Sequence, residues 1–503
     1  MKPSACAAEL ESNAVPRHRR GAWARLPWGS ALLVFAALAC RAEPVRSPPE
    51  RAAPAAWSES ESVVAAAEPI EAWWRTLQDP ALDALVDVAL GENLDLAAAR
   101  ARVLEARAVR DAAAGGDEPR VDASAGYARA KRSENEGPVF GDRENDLYRA
   151  GFDARWELDL FGRVGAQVAA AQAGLDAAVE ARRDAAVTLL GDLARSYVEL
   201  RGAQRELAVA RENLAVQQDT LGLTRGRFQA GLASDLDVAR AEAQVETTKA
   251  ALPALDAAQR TSLHRIAVLI GRDPGAVARD LLAPADVPKA PAVIAAGLPA
   301  ELVRRRADVR RAERDLAREC ALSDAARAEL YPRISLAASW GQRSTEGFDL
   351  LDAGSNAWSI GPSLVLPIFE AGVLKANVRA QEAREKQALA RWQKAVLQAQ
   401  AEVEDAIVNL ARERERNASL ANALAAQDRA VKLANDLFTK GLVDFFQVLD
   451  AQRARFQIES DLARSSTRAV TNAVALYKAL GGGWSVADER EPKSQSAPDD
   501  AQP

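Results

Sequence analysis

Asp450 and Arg453 stand three residues apart, and Phe446 precedes the aspartate by four. On a helix those spacings put all three side chains on one face. A carboxylate and a guanidinium so placed can pair, part and pair again with other charges. A bulky ring beside them can form an apolar constriction that resists wetting. The plainer reading is an exposed helix-surface pair, which is worth little. Other chemistry is sparse. The chain has two histidines, His18 and His264, and the second stands alone in a helical stretch. The sequence contains no Cys/His spacing suited to a metal, no phosphate-binding loop and no strand-borne nucleophile elbow. No enzyme activity, cofactor or metal is therefore expected.

The chain has 503 residues, 27% of them charged, with a net charge of -6. Charges of both signs are interspersed, unlike the concentrated basic patch of a nucleic-acid surface. Aromatic residues are only 5%, which suits long Ala-rich helices. Near the start, Arg17, Arg19, Arg20 and Arg25 precede the apolar run Ala31-Leu32-Leu33-Val34-Phe35-Ala36-Ala37-Leu38, then Ala39-Cys40. That run is shorter than the roughly 20 residues a membrane span needs. It reads as an export signal over residues 1–39. The small residues before Cys40 resemble a bacterial lipobox, which implies that Cys40 is the lipidated first residue of the mature chain, the alternative being ordinary cleavage near Ala39. Cys6 would leave with the signal. Cys320 is then the one remaining thiol, expected as a small buried residue in a helix, and no disulfide framework is possible.

Residues 40–69 are rich in Pro, Ala, Ser and Glu and read as an extended tether carrying the lipid anchor. Structure is expected from Trp73-Trp74 onward, with Asp79-Pro80 capping a first helix and a second helix from Asn93 to the Gly115-Gly116 stop. Residues 119–161 form a β-hairpin pattern. Val121, Ala123, Ala125 and Tyr127 alternate along its first strand. Tyr148, Ala150, Phe152, Ala154, Trp156, Leu158 and Leu160 alternate along its second, with Arg149, Gly151, Asp153, Arg155, Glu157 and Asp159 between them. One face is apolar and the other polar or charged. Roughly 65 proline-free residues follow, a helix on the order of 100 Å long. Gly231 suits a helix C-cap, and Ser234 with Asp237 suits a capping box for the return helix, bent near Pro253. Residues 272–299 contain several prolines and are expected to cross over without helix.

The same order then recurs. Pro332-Arg333-Ile334 echoes Pro119-Arg120-Val121, and Trp358, Ile360, Pro362, Leu364, Leu366 and Ile368 alternate. Phe228, Gly231, Leu232, Val238 and Ala241 match Phe438, Gly441, Leu442, Val448 and Ala451 at one constant offset. The expected organisation is a first repeat over 70–298, with a helix pair at 163–271. A second repeat covers 299–484, with a hairpin at 332–369 and a helix pair at 372–480. A disordered tail covers 485–503. Four amphipathic strands per chain cannot close a barrel, since small barrels need about eight, and a sheet in lipid can have no open edge. If the apolar faces meet lipid, several copies must pool strands, two giving eight and three giving twelve; the same alternation also allows a soluble sandwich buried on one face. Trp156, Trp340, Trp358 and Tyr148 suit an interfacial girdle.

Trp156-Glu157-Leu158-Asp159-Leu160-Phe161-Gly162-Arg163 resembles the strand-to-helix signature of TolC-type outer-membrane efflux proteins, in particular the NodT-like lipoprotein branch serving drug-efflux pumps. Asp79-Pro80-x-Leu82 with Asn93-x-Asp95-Leu96 is similar to that branch's first helices. Leu302-Val303-Arg304-Arg305-Arg306-Ala307-Asp308-Val309 is similar to its second-repeat opening, with Ala307 where proline is usual. Gly441-Leu442-Val443-Asp444 and Val448-Leu449-Asp450-Ala451-Gln452-Arg453 resemble its second turn.

The resemblance implies a mixed membrane protein: a homotrimer whose 12-stranded transmembrane β-barrel continues into a periplasmic α-helical barrel. It implies lipid anchorage in the outer membrane, and partnership with a periplasmic membrane-fusion adaptor and an inner-membrane RND-type pump for multidrug efflux. It further implies that Asp450 belongs to a carboxylate ring at a periplasmic gate, with Phe446 and Arg453 beside it. Gln447 stands where some relatives carry a second acidic ring. The turns bearing Gly231, Leu232, Ser234, Asp235, Gly441, Leu442 and Asp444 become the candidate adaptor-docking surface. Alternative readings are a conduit for metal ions or secreted polypeptide, and a periplasmic scaffold that forms no channel. With Met1 the one methionine, a Met-lined path for soft metals is absent.

Overall fold

In the computed structural model, the described residues are 56–58, 63–65, 71–133, 135 and 143–484. The export signal, Cys40 and the tail at 485–503 lie outside them. In chain order come β1 (Val64–Ala65), α1 (Pro80–Glu92), α2 (Leu94–Ala114), β2 (Arg120–Lys131), β3 (Glu144–Leu158), α3 (Arg163–Gln229) and α4 (Asp235–Leu269). They are followed by α5 (Pro274–Leu281), β4 (Ile294–Ala295), α6 (Pro299–Arg305), α7 (Ala307–Ala328), β5 (Arg333–Ser344), β6 (Asn356–Val365), α8 (Val373–Thr439) and α9 (Phe445–Ala479). The two longest helices have 67 residues each and their return helices 35 each. Among the described residues no helix is long and apolar enough to cross a membrane.

The chain divides into two compact units. The first, Val103–Ala178 with Ala312–Trp392, holds one antiparallel sheet of order β2-β3-β5-β6. Directly opposed residues share a face, so the register lines up apolar side chains across all four strands. Tyr127 faces Tyr148, Ala123 faces Phe152, Phe152 faces Trp340, and Trp340 faces Trp358. This face is open: Trp358 is 71% exposed and Ile360 63%. The other face is polar, with Ser124 donating to Asp153 (2.9 Å) and Ser339 bonded to Ser359 (2.8 Å). Trp340 lies opposite Phe152 rather than at a strand end, which corrects its place in the expected girdle.

Three sequence-based boundaries shift. β2 runs past Tyr127 to Lys131, because Arg129 and Lys131 pair with Glu144 (3.1 and 3.6 Å) on the facing strand. β3 stops at Leu158, where the Leu160 N–H turns back to the Leu158 carbonyl (2.8 Å). β6 stops at Val365, two residues before Pro367, which has no N–H to pair.

The second unit comprises Val179–Arg311, the chain from Gln393 onward, and the described residues up to Arg102. Its fully buried side chains include Leu190, Leu193, Tyr197 and Leu200 of α3, Ile407 and Leu410 of α8, and Leu476 and Tyr477 of α9. Each such burial contributes about 1.5–3 kcal/mol. Asp79 caps α1 by accepting from the Ala81 and Leu82 N–H groups, and its other oxygen accepts from Tyr197 (2.7 Å). Two expectations are corrected here. The proline-bearing crossover contains helix α5, which Pro274 starts from a position where its missing N–H costs nothing. The supposed tether is docked where it is described: Trp57 is buried with its indole N–H on the Gly297 carbonyl (3.1 Å), and β1 pairs in parallel with β4. Helix α4 runs unbroken through Pro253.

Candidate functional site

The chain reverses at two turns built alike. After α3, Gly231 takes φ 74°, the Gly231 N–H donates to the Phe228 carbonyl (2.9 Å) and the Leu232 N–H to the Arg227 carbonyl (2.8 Å). After α8, Gly441 takes φ 73°, with Gly441 on Phe438 (3.0 Å) and Leu442 on Leu437 (2.9 Å). This double bond pattern needs a left-handed residue, which glycine adopts without a Cβ penalty. Ser234 then caps α4 through the expected box: its hydroxyl oxygen accepts from the Asp237 N–H (3.2 Å), and Asp237 accepts from the Ser234 N–H (3.1 Å). Asp444 caps α9 by accepting from the Gln447 N–H (3.3 Å). Ser234 and Asp444 are thus occupied by the turn itself. Leu232 and Leu442 are each 68% exposed, and Asp235, the first residue of α4, is also exposed.

Behind the turns a shared core joins the two hairpins. Leu221 of α3 and Val238, Ala241 and Val245 of α4 pack with Phe445 and Val448 of α9. Adjacent phenylalanines therefore divide their roles. Phe445 is buried, its ring 5.6 Å from that of Phe438, whereas Phe446 is 46% exposed. The Arg240 guanidinium lies 5.3 Å over the Phe446 ring, and Arg227 lies 4.3 Å over Phe438.

Gln447, Asp450 and Arg453 are exposed on α9. Among the described residues, neither Asp450 nor Arg453 forms an ion pair within the chain, so the simple surface pair is not made. At an exposed position the Coulomb gain is too small to hold both side chains in one geometry. The arginine that binds the hairpin together is Arg455, which reaches Asp428 on α8 (2.6 Å) and Glu459 (2.8 Å). Sequence reasoning passed over it, although Arg455 and Glu459 are spaced i, i+4. Arg225 and Glu242 (2.6 Å) do the same across α3 and α4.

The strand-to-helix signature lies in the sheet-bearing unit and forms a joint. Arg163 donates two bonds to Glu157 (3.0 and 2.7 Å), and Asp159 accepts from the Gly165 N–H (2.7 Å) at the start of α3. Gly162 takes φ 75°, the Trp156 indole donates to the Asp117 carbonyl (2.9 Å), and Phe161 stacks on Tyr331 (5.3 Å). Leu160 stays half exposed. In the helical unit, Arg306 explains the other motif. It forks onto Asp308 (2.9 and 2.7 Å), donates to the Ala479 carbonyl (3.0 Å) and meets Glu402 (2.7 Å). Ala307 begins α7, a first-turn position that a proline would also fit.

A family model described as outer membrane efflux protein matches residues 85–272 and 298–482. Nodulation protein T of Rhizobium leguminosarum bv. trifolii is 31% identical to this chain, over 88% of the chain and 95% of that protein. Outer membrane protein OprJ of Pseudomonas aeruginosa is 35% identical, over 90% of the chain and 95% of that protein. Among solved structures, the outer-membrane channel OprN matches with a TM-score of 0.83 at 34% identity, covering 88% of this chain and 99% of that one.

Proposed function

The chain belongs to the outer membrane efflux protein family, and from that premise we propose that it is the passive, homotrimeric exit duct of a tripartite efflux pump. As a family member it resides in the outer membrane and serves efflux. The observation that carries the oligomeric reading is the four-stranded sheet with one open apolar face and two unpaired edges, β2 and β6. Hydrocarbon can cover that face, but unpaired edge groups in lipid cost several kcal/mol each, so edges must be closed by further copies. Three copies give twelve strands, enough to leave a lumen. Cys40 would carry the lipid anchor.

In this reading the helix turns form the gated periplasmic end. Exposed Leu232 and Leu442 offer apolar knobs to a membrane-fusion adaptor, with Gly231, Asp235 and Gly441 shaping the surface. Three copies of Asp450 near a symmetry axis would repel one another and hold cations. Arg453, unpaired among the described residues, is free to answer the carboxylate of a neighbour and to exchange partners on opening. Phe446 adds the apolar constriction and Gln447 an uncharged polar ring. An inner-membrane pump supplies the energy, and small toxic compounds are the cargo.

Planar-bilayer conductance tests this. The purified protein should pass current in discrete steps, and Asp450→Ala should raise the open fraction at least severalfold. A protein that stays monomeric, dissolves without detergent and passes no current would be a scaffold instead.

A further inference from the structure

The two halves of the sheet are related by fixed offsets. β5 lies 213 residues after β2, Arg120 matching Arg333 and Lys131 matching Ser344. From β3 and β6 through to the last helix the offset is 210: Gly162 matches Gly372, and α3 and α4 match α8 and α9 at both ends. These offsets carry one hairpin's register onto the other. Val121–Ala154 becomes Ile334–Leu364, and Tyr127–Tyr148 becomes Trp340–Trp358, and both derived pairs are observed.

The β3–β5 seam inside the chain has no second counterpart within it, because β6 and β2 are the edges. We infer that this counterpart is β6 of one copy against β2 of the next, in the register the same offsets dictate, with Leu364 opposite Ala125 of the next copy. This rests on the oligomeric-duct reading and adds the residue-by-residue seam. Ala154–Ala338 maps to that pair, Tyr148–Ser344 to Trp358 opposite Lys131, and Phe152–Trp340 to Pro362 opposite Tyr127.

Two observations independent of the arithmetic support the register. The first is facing. A one-residue slip would set the apolar face of β6 against the polar face of β2, whereas the derived pairs join Leu364, Pro362 and Trp358 to the odd-numbered residues of β2. Those odd-numbered residues include Val121, Ala123, Ala125 and Tyr127, whose partners in β3 are apolar. The second is a close approach. Gly151 and Gly341 lie opposite one another, and a Cβ on Gly151 would sit 2.6 Å from the Trp340 carbonyl oxygen. That pair maps to Gly361 opposite Ala128, again two small residues. A Cβ added to Gly361 meets nothing within 4 Å in the single chain, leaving room for an incoming strand.

Paired cysteines test the register in full-length protein carrying Cys320→Ser. Opposed residues have Cβ atoms about 4.5–5.5 Å apart and diagonal ones about 7–8 Å, and a disulfide needs Cβ atoms about 3.5–4.5 Å apart, within a small backbone adjustment only of the opposed pairs. Ala125→Cys with Leu364→Cys should give, on mild oxidation, a thiol-reversible ladder of covalent dimers and trimers on denaturing gels. Leu364→Cys with Ala123→Cys or Tyr127→Cys should give at least tenfold less, and single variants none. Arg129→Cys with Ile360→Cys, both within their strands, repeats the derived register if the first pair fails to assemble. Preferential bonding of a shifted pair overturns the register, as does an intact heat-sensitive oligomer that bonds in neither derived pair. Absence of any oligomer in the unsubstituted protein overturns the duct reading itself.

Discussion

Tyr197 shows how much one buried polar group can fix. It is fully buried on α3, and burial together with its bond to Asp79 raises the phenol from 10.0 to about 12. The folded state therefore favours the protonated ring. That stabilisation is complete below about pH 10 and fades as pH climbs towards 12. Tyr197→Phe should cost about 1–2 kcal/mol at neutral pH and flatten the alkaline loss of stability, read from oligomer melting against pH. Gly151 poses the opposite case, since its role is to be absent. Gly151→Val should push β3 from β5 and lower the dissociation temperature, at a cost of about 1–3 kcal/mol. Glu180 is nearly inaccessible and binds both Arg183 (2.6 Å) and Arg310 (2.7 Å), whose guanidinium groups lie over Trp484. Glu180 and Arg183 are an i, i+3 pair on α3, but Arg310 and Trp484 join them only by folding, which no local spacing announced.

Among the elements, the turns combine tight geometry with exposed tips. Their caps are local, so Ser234→Ala and Asp444→Ala should each cost about 1 kcal/mol and fray the first turns of α4 and α9. Hydrogen exchange would show faster amides confined to those turns, with the sheet unchanged. Gly231→Ala and Gly441→Ala should be worse, since alanine pays about 1 kcal/mol or more for the left-handed conformation. Much of this was legible beforehand: the glycines, the Ser234–Asp237 box and the long proline-free runs are signals within a few residues. Strand ends were less so. Leu160 and Ile368 keep the alternation but fall beyond the ladder, because alternation describes facing and cannot show where a facing strand runs out.

For the whole molecule, the decisive property is a sheet that cannot stand alone in lipid. Its edges, its open apolar face and its closely packed centre all point to assembly with further copies. If the duct forms, conductance and covalent seam formation should rise and fall together: variants that abolish oligomers should abolish current. Asp450→Ala should separate the two, leaving the oligomer intact while the open fraction grows. That split would place Asp450 at the gate and not in the frame.

Periodicity, caps, turn glycines and the internal repeat were decided by the sequence alone, because each depends on residues near in the chain and on side-chain size and charge. Folding decided what lies far apart in sequence. It set β3 against β5, chose Arg455 over Arg453 as the arginine that ties the hairpin, and docked Trp57 on Gly297. Those outcomes follow from which surfaces meet and how much water they exclude, and short-range pattern carries no record of that.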